Sequence, residues 1–159
     1  MFAHLIAIVL AVILTVLGLL YGLWATGSTF PAGSEEKLAR MVVGRRAVRT
    51  MPSRSACLFV ALCLFAAAVL ALMLGRIVPM PVFGGAKWVM ALIGGFAAMM
   101  FLGRGVLGVL PAYERAAPEQ PFLRLNQRIY SPLSFLIGVG FVLLTLSLPY
   151  WSWRLGLLG

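Results

Sequence analysis

Aspartate is absent from this 159-residue chain, and its acidic residues are four glutamates, Glu35, Glu36, Glu114 and Glu119. The single histidine, His4, stands at the very start, with no acidic residue near it in sequence. An acid–base pair, a Ser-His triad or a zinc site needs a richer inventory than this, so no catalytic residues, no metal ligands and no cofactor are expected. The apolar runs contain Thr15, Tyr21, Ser134, Thr145 and Ser147 but no carboxylate. Proton-coupled pumps rely on ionisable intramembrane relays, which argues against a self-contained pump. There are two cysteines, Cys57 and Cys63, six positions apart and outside any Cys-x-x-Cys pattern. On a helix that spacing is about 600° of turn and ~9 Å of rise, so they cannot bridge and do not suggest thiol redox chemistry.

Charge of either sign is scarce. Charged residues make up 11% of the chain and hydrophobic ones 62%, and mean hydropathy is +1.03. Soluble domains carry roughly 25% charged residues; a chain of this composition could not hide its apolar surface from water, whereas a bilayer accepts it. The net charge of +9 would suggest nucleic acid in a soluble protein. Here the bases lie between apolar blocks, where lipid headgroups must be, so anionic lipid is the expected partner and nucleic acid is not.

Four apolar runs are long enough to cross a bilayer: Leu5–Ala25, Ala56–Gly75, Trp88–Leu110 and Pro132–Trp151. With no water in the bilayer core, each must satisfy its own backbone as a helix. The expected fold is therefore all-α, a polytopic four-helix bundle forming one domain over residues 1–159. Met1-Phe2-Ala3-His4 has no Lys or Arg, and no small-x-small site precedes a polar mature start, so the first run reads as a retained span rather than a signal peptide. Ser131-Pro132 reads as the cap and first turn of the fourth span. Trp24, Trp88, Trp151 and Trp153 fall at span ends, as in an interfacial aromatic belt. The proline- and glycine-rich stretch from Val78 to Gly85 reads as a short turn.

Ten of the thirteen bases lie in or beside connections one and three: Lys37, Arg40, Arg45, Arg46, Arg49, Arg54, Arg104, Arg115, Arg124 and Arg128. Arg76, Lys87 and Arg154 lie on the other side. The positive-inside rule then places those connections in the cytoplasm and both termini outside. In the first connection, Ser34 can cap a helix with Glu35 and Glu36 in its first turn. Leu38, Met41 and Val42 share one face of it, so it could lie in the headgroup plane; the alternative is a solvated basic loop. Pro31-Ala32 recurs as Pro111-Ala112, each pair following a span and preceding acidic residues, a weak sign of two related hairpins.

Gly18 and Gly22 form a small-x-x-x-small motif for close helix packing. Gly94, Gly95, Gly103, Gly105, Gly108, Gly138 and Gly140 suggest tight crossings or a groove for a lipid chain. Arg104 is the one charge inside an apolar run and is either a snorkelling terminal residue or a structural contact. Arg104, Arg124, Asn126, Arg128 and Tyr130 form a candidate rim for a ligand or lipid headgroup. Arg104 is expected to pack against the segment from Arg124 to Pro132. It should bond a side chain or carbonyl of residues 114–131, or a lipid phosphate.

Phe122-Leu-Arg-Leu-Asn-Gln-Arg-Ile-Tyr-Ser-Pro-Leu133 resembles the Phe-x-Arg-Leu-Asp-x-x-x-Tyr-Ser-Pro-Leu signature of a small bacterial membrane-protein family, domain of unknown function 3995. Phe101-Leu-Gly-Arg104 resembles its Phe-Leu-x-Arg element, and Tyr21-Gly-Leu-Trp-Ala-Thr-Gly27 its His-x-x-Trp-Ala-x-Gly element. Asn126 stands where the family tends to have Asp, and Tyr21 where it tends to have His. The resemblance implies a four-helix protein of a bacterial inner membrane and no particular activity.

The favoured functional reading is a non-enzymatic module that binds lipid or another apolar ligand, or a partner membrane protein. A small transporter or transporter subunit, acting as a homo-oligomer, is the alternative. A lipid-acting enzyme using the rim residues is the third.

Overall fold

The computed structural model describes residues 2–43, 50–79, 86–116, 118 and 120–148. Several sequence expectations fall outside them: the turn over 80–85, the bases Arg45, Arg46, Arg49 and Arg154, Glu119, the end of the fourth run, Trp151 and Trp153. The described residues are helical, with no strand among them. In chain order the helices are α1 (Phe2–Ala25), α2 (Glu35–Val42), α3 (Arg54–Leu74), α4 (Ala86–Leu107), α5 (Pro111–Ala116), α6 (Phe122–Leu125) and α7 (Ser131–Leu146). A π-helical turn over Asn126–Tyr130 joins α6 to α7.

Four stretches are long and apolar enough to cross a membrane: Phe2–Ala25, Arg54–Leu74, Trp88–Leu107 and Phe122–Leu146. They form two close pairs, α1 with α3 and α4 with α7, and α7 also touches α1 and α3. The buried core is correspondingly narrow: Leu14, Leu74, Ile137, Phe141 and Leu144, with Phe101 stacked on Phe141 at a centroid distance of 5.8 Å. Large apolar side chains face outward all round, among them Phe59, Leu62, Leu92 and Leu136. That is an inversion no aqueous surface would tolerate, and the distribution a hydrocarbon solvent permits.

The first span opens at Phe2 rather than Leu5, and three further boundaries move, each for a local reason. The third span ends at Leu107 rather than Leu110, because Pro111 disfavours helical geometry at the residue before it. The chain tightens there, with Val109 and Leu110 amides donating to Val106 and Leu107 carbonyls at 3.2 Å. α3 opens at Arg54, two residues early, where the Ser53 side chain accepts from the Ala56 amide. The largest change is in the fourth span, which begins at Phe122 and not Pro132. Ser131 makes no cap; its amide reaches back to the Asn126 carbonyl in a widened turn. Pro132 lacks an N–H and its ring would press on the carbonyl four residues back, so the π turn relieves the crowding and the helix runs through.

The α4–α7 pairing depends on bare backbone. A Cβ on Gly105 would lie 2.8 Å from the Phe135 nitrogen, and one on Gly138 2.7 Å from the Leu102 nitrogen. Gly18 sits against the Phe65 ring, where a Cβ would be 3.0 Å from the nearest carbon. Gly22 has nothing within 4 Å, so the second half of the proposed small-x-x-x-small pair makes no such approach. Without a hydrophobic driving force between helices in lipid, such contacts carry the association. Gly105→Val is therefore expected to cost about 2 kcal/mol or more, as overpacking does, and Gly22→Ala almost nothing. Thermal unfolding of both variants in one detergent checks this.

Helix α2 forms as its sequence suggests. The Ser34 side chain accepts from the Lys37 amide at 3.4 Å, and Glu36 pairs with Arg40 one turn on. Its face is not simply turned to a membrane plane: Leu38 and Ala39 are buried, and α2 touches α6 across the end of the bundle. Trp24 departs from the aromatic-belt expectation in the same way. It is 9% exposed, clustered with Leu38 and Cys57, because the connection folds back and the Phe30 carbonyl accepts from its indole Nε1 at 2.8 Å. Trp88 is half-exposed at the start of the third span.

Candidate functional site

Two short helical connections, α2 and α5–α6, close the same end of the bundle. Inside that end lies a cavity of about 380 Å³. It draws on every long helix: Leu17, Tyr21 and Trp24 from α1, Val60 and Leu64 from α3, Phe101 and Arg104 from α4, and Tyr130, Ser134 and Ile137 from the fourth span. Leu38, Met41 and Val42 of α2 form its cover. Tyr130 ties the cover down, its hydroxyl donating to the Met41 carbonyl at 3.4 Å.

Arg104 reaches this site from the last turn of α4. It meets Asn126, the first residue of the π turn, which is completely buried. Arg104 Nη2 donates to Asn126 Oδ1 at 2.9 Å, Asn126 Nδ2 donates to the Gly108 carbonyl at 2.6 Å, and Ser131 Oγ donates to Asn126 Oδ1 at 3.4 Å. A guanidinium has only donors and a carbonyl only acceptors, so the amide is fixed in this one orientation. The Arg104 guanidinium carbon also lies 5.4 Å from the Tyr113 ring centroid, a cation–π distance. Tyr113, Phe122 and Tyr130 continue as a chain of ring contacts at 6.4 Å and 6.1 Å. Outside it, Glu114 accepts from Gln127 and ties α5 to the π turn.

This arrangement leaves a charge unmatched. No carboxylate pairs with Arg104 among the described residues, and its Nη1 is buried without a hydrogen-bond partner. The lining has hydroxyls in Tyr21, Tyr130 and Ser134, the last two donating to the Met41 and Tyr130 carbonyls, and no carboxylate or imidazole. Among the described residues no three His, Cys, Asp or Glu side chains gather as a metal site would require. Cys57 is buried and Cys63 exposed, both free.

The five rim residues thus divide. Arg104, Asn126 and Tyr130 converge. Arg124 and Arg128 do not; both are exposed on the outer face of the helical extension and line no part of the cavity. The reason is periodicity: Phe122, Asn126 and Tyr130 recur every four residues and share the inner face, which turns 124 and 128 outward. The expected bond between Arg104 and residues 114–131 is present, with Asn126 as acceptor. Sequence reasoning missed Tyr21, Trp24 and Ser134 as cavity residues. A signal for the first two was available in the Tyr21–Gly27 element.

Fold and site together define the class: an all-helical protein with four membrane-crossing helices around a cavity closed at one end by short connecting helices. Within that class, the chain belongs to the family described as protein of unknown function (DUF3995), which matches residues 14–141. The match takes in Tyr21, Arg104, Asn126 and Tyr130. No curated protein and no solved structure matches the chain.

Proposed function

We propose that this protein is a non-enzymatic module of a bacterial inner membrane that holds an amphiphilic ligand in the cavity between its four helices. The observation that carries this reading is the cavity itself. At about 380 Å³ it is within the range of small-molecule sites, roughly 300–1,000 Å³. Its walls are apolar with a few polar groups at one end, the composition such sites share. Its lining offers donors and no acid–base pair, which favours holding a ligand over transforming it. The exposed Arg124 and Arg128, with Arg115 and Lys37 also exposed, suit contact with anionic headgroups outside the cavity.

The test fills the cavity. Leu64→Trp places a large ring in space lined by Leu17, Leu64, Phe101 and Ile137. Wild-type protein purified in mild detergent is expected to retain a bound amphiphile in native mass spectrometry, and Leu64→Trp to lose it while keeping its helicity. Equal retention by both would put the ligand elsewhere.

The orientation that accompanies this reading follows from the bases. Those of α2, α5 and α6 cluster at the cavity end, with Arg54 and Arg104, whereas Arg76 follows α3 at the opposite end. The positive-inside rule puts the cavity end in the cytoplasm and both termini outside. Reporter fusions after Ser34 and after Pro118 should read as cytoplasmic, and one after Pro79 as external; a cytoplasmic signal at Pro79 would overturn the orientation.

A further inference from the structure

We infer that the ligand carries a single oxyanion head on one apolar chain, and that Arg104 is the residue that selects it. This rests on the reading of the cavity as a ligand site and adds the chemistry of its occupant.

The cavity has a direction. One helical turn separates Leu17 from Tyr21 on α1 and Phe101 from Arg104 on α4. On the fourth span the lining passes from Ile137 through Ser134 to Tyr130. On each of these three helices the apolar member lies toward the middle of the bundle and the polar member toward the closed end, whereas α3 contributes only Val60 and Leu64 and the α2 cover is apolar. A ligand that fits this lining has an apolar tail directed to the membrane interior and a polar head beside Arg104.

The head must answer a positive charge. Arg104 brings a guanidinium charge to the lining. Its protein partners are a neutral amide and an aromatic ring, and neither neutralises it. Nη1 is buried against Gly108 without a partner, so nothing among the described residues offsets the charge that Arg104 brings to the cavity lining. The Tyr21 phenol lines the same cavity as the guanidinium, whereas the Tyr130 hydroxyl is held by the Met41 carbonyl. A guanidinium with the Tyr21 phenol in the same lining matches a carboxylate or phosphate oxygen pair, which accepts from more than one donor. The volume sets the tail. About 380 Å³ is at the lower end of ligand-site sizes, which suits one chain and excludes a two-chain phospholipid held whole.

Both fatty carboxylates and single-chain phosphate monoesters present this chemistry. The experiment titrates the full chain in detergent micelles with oleate, a lysophosphatidate of the same chain and the neutral monoacylglycerol, reading affinity by calorimetry. Inorganic phosphate alone is the tail-less control. The wild type is expected to bind at least one of the two anions about tenfold or more tightly than the neutral analogue, and inorganic phosphate not measurably; the tighter anion names the head. Arg104→Gln should erase the preference. Asn126→Asp should do the same from the protein side, because a carboxylate at the Oδ1 position would pair the guanidinium internally. Each is expected to lose about tenfold or more in anion affinity, the effect of one charge-assisted hydrogen bond, with neutral-chain affinity unchanged. Asn126→Asp keeps the measurement decisive if Arg104→Gln does not fold. Equal wild-type affinity for anionic and neutral chains would overturn the inference and leave the cavity reading intact. Binding of no single-chain amphiphile would overturn both.

Discussion

Asn126→Leu is expected to be the most damaging substitution at the closed end, costing about 3–5 kcal/mol of stability, because it strands three hydrogen-bonding groups at about 1–3 kcal/mol each. The residue is completely buried and serves three groups at once. Leucine fills similar volume but accepts nothing from Arg104 Nη2, donates nothing to the Gly108 carbonyl and leaves Ser131 Oγ without its acceptor. Arg104 would then be a half-buried cation with both terminal nitrogens unsatisfied, since Nη1 already lacks a partner. Arg104→Leu alone should cost less, because it removes the charge together with its need. In a double-mutant cycle, Arg104→Leu placed on Asn126→Leu should recover a large part of the loss. Chemical or thermal unfolding in detergent measures all four corners; additive effects would mean that the two side chains do not depend on each other.

Gly108→Ala is expected to produce the second large loss, by steric means. A methyl there would sit 2.0 Å from Ser131 Oγ and 2.7 Å from Arg104 Nη1. It would occupy the space in which Arg104, Asn126 and Ser131 meet. A loss of about 2–4 kcal/mol is expected, somewhat beyond ordinary overpacking because hydrogen bonds break as well. Gly103→Ala, five positions earlier in the chain, has nothing within 4 Å of the added carbon. It should be neutral or slightly stabilising, since alanine favours a helix over glycine by roughly 0.5–1 kcal/mol. Unfolding midpoints that fall equally for both variants would show that backbone flexibility, and not the filled node, matters at Gly108.

Much of this architecture can be read from the chain because its physics is local. Runs such as Ala56–Gly75 leave no choice but a membrane-crossing helix, and Ser34 followed by two glutamates states where α2 begins. The bond from Arg104 to the polar segment was legible too, since both lie at one membrane face and a cation among apolar residues must find an acceptor. What failed is instructive. The segment from Arg124 to Tyr130 has polar residues at every second position and reads as an irregular approach to a span. Its controlling pattern is the wider one of Phe122, Asn126 and Tyr130, a helix face whose partners come from elsewhere in the chain. Ser131-Pro132 has the signature of a helix start, and a π turn cancels it. The cavity was illegible because it is defined by contacts between distant residues: Tyr21 and Ser134 come together only when α1 and α7 pack, and no local spacing announces that. Trp24 was placed at a lipid interface because its partner, the Phe30 carbonyl, depends on how a loop folds back.

The central claim is that the space between Tyr21, Arg104 and Tyr130 is a ligand site. Electron cryomicroscopy of the full chain in native-lipid particles, with a fiducial binder for size, tests it most directly. The account predicts elongated density within the four helices, its polar end within hydrogen-bond reach of Arg104 and its tail toward Leu17 and Ile137. A closed end filled by protein side chains alone, with a carboxylate of the chain seated on Arg104, would contradict it.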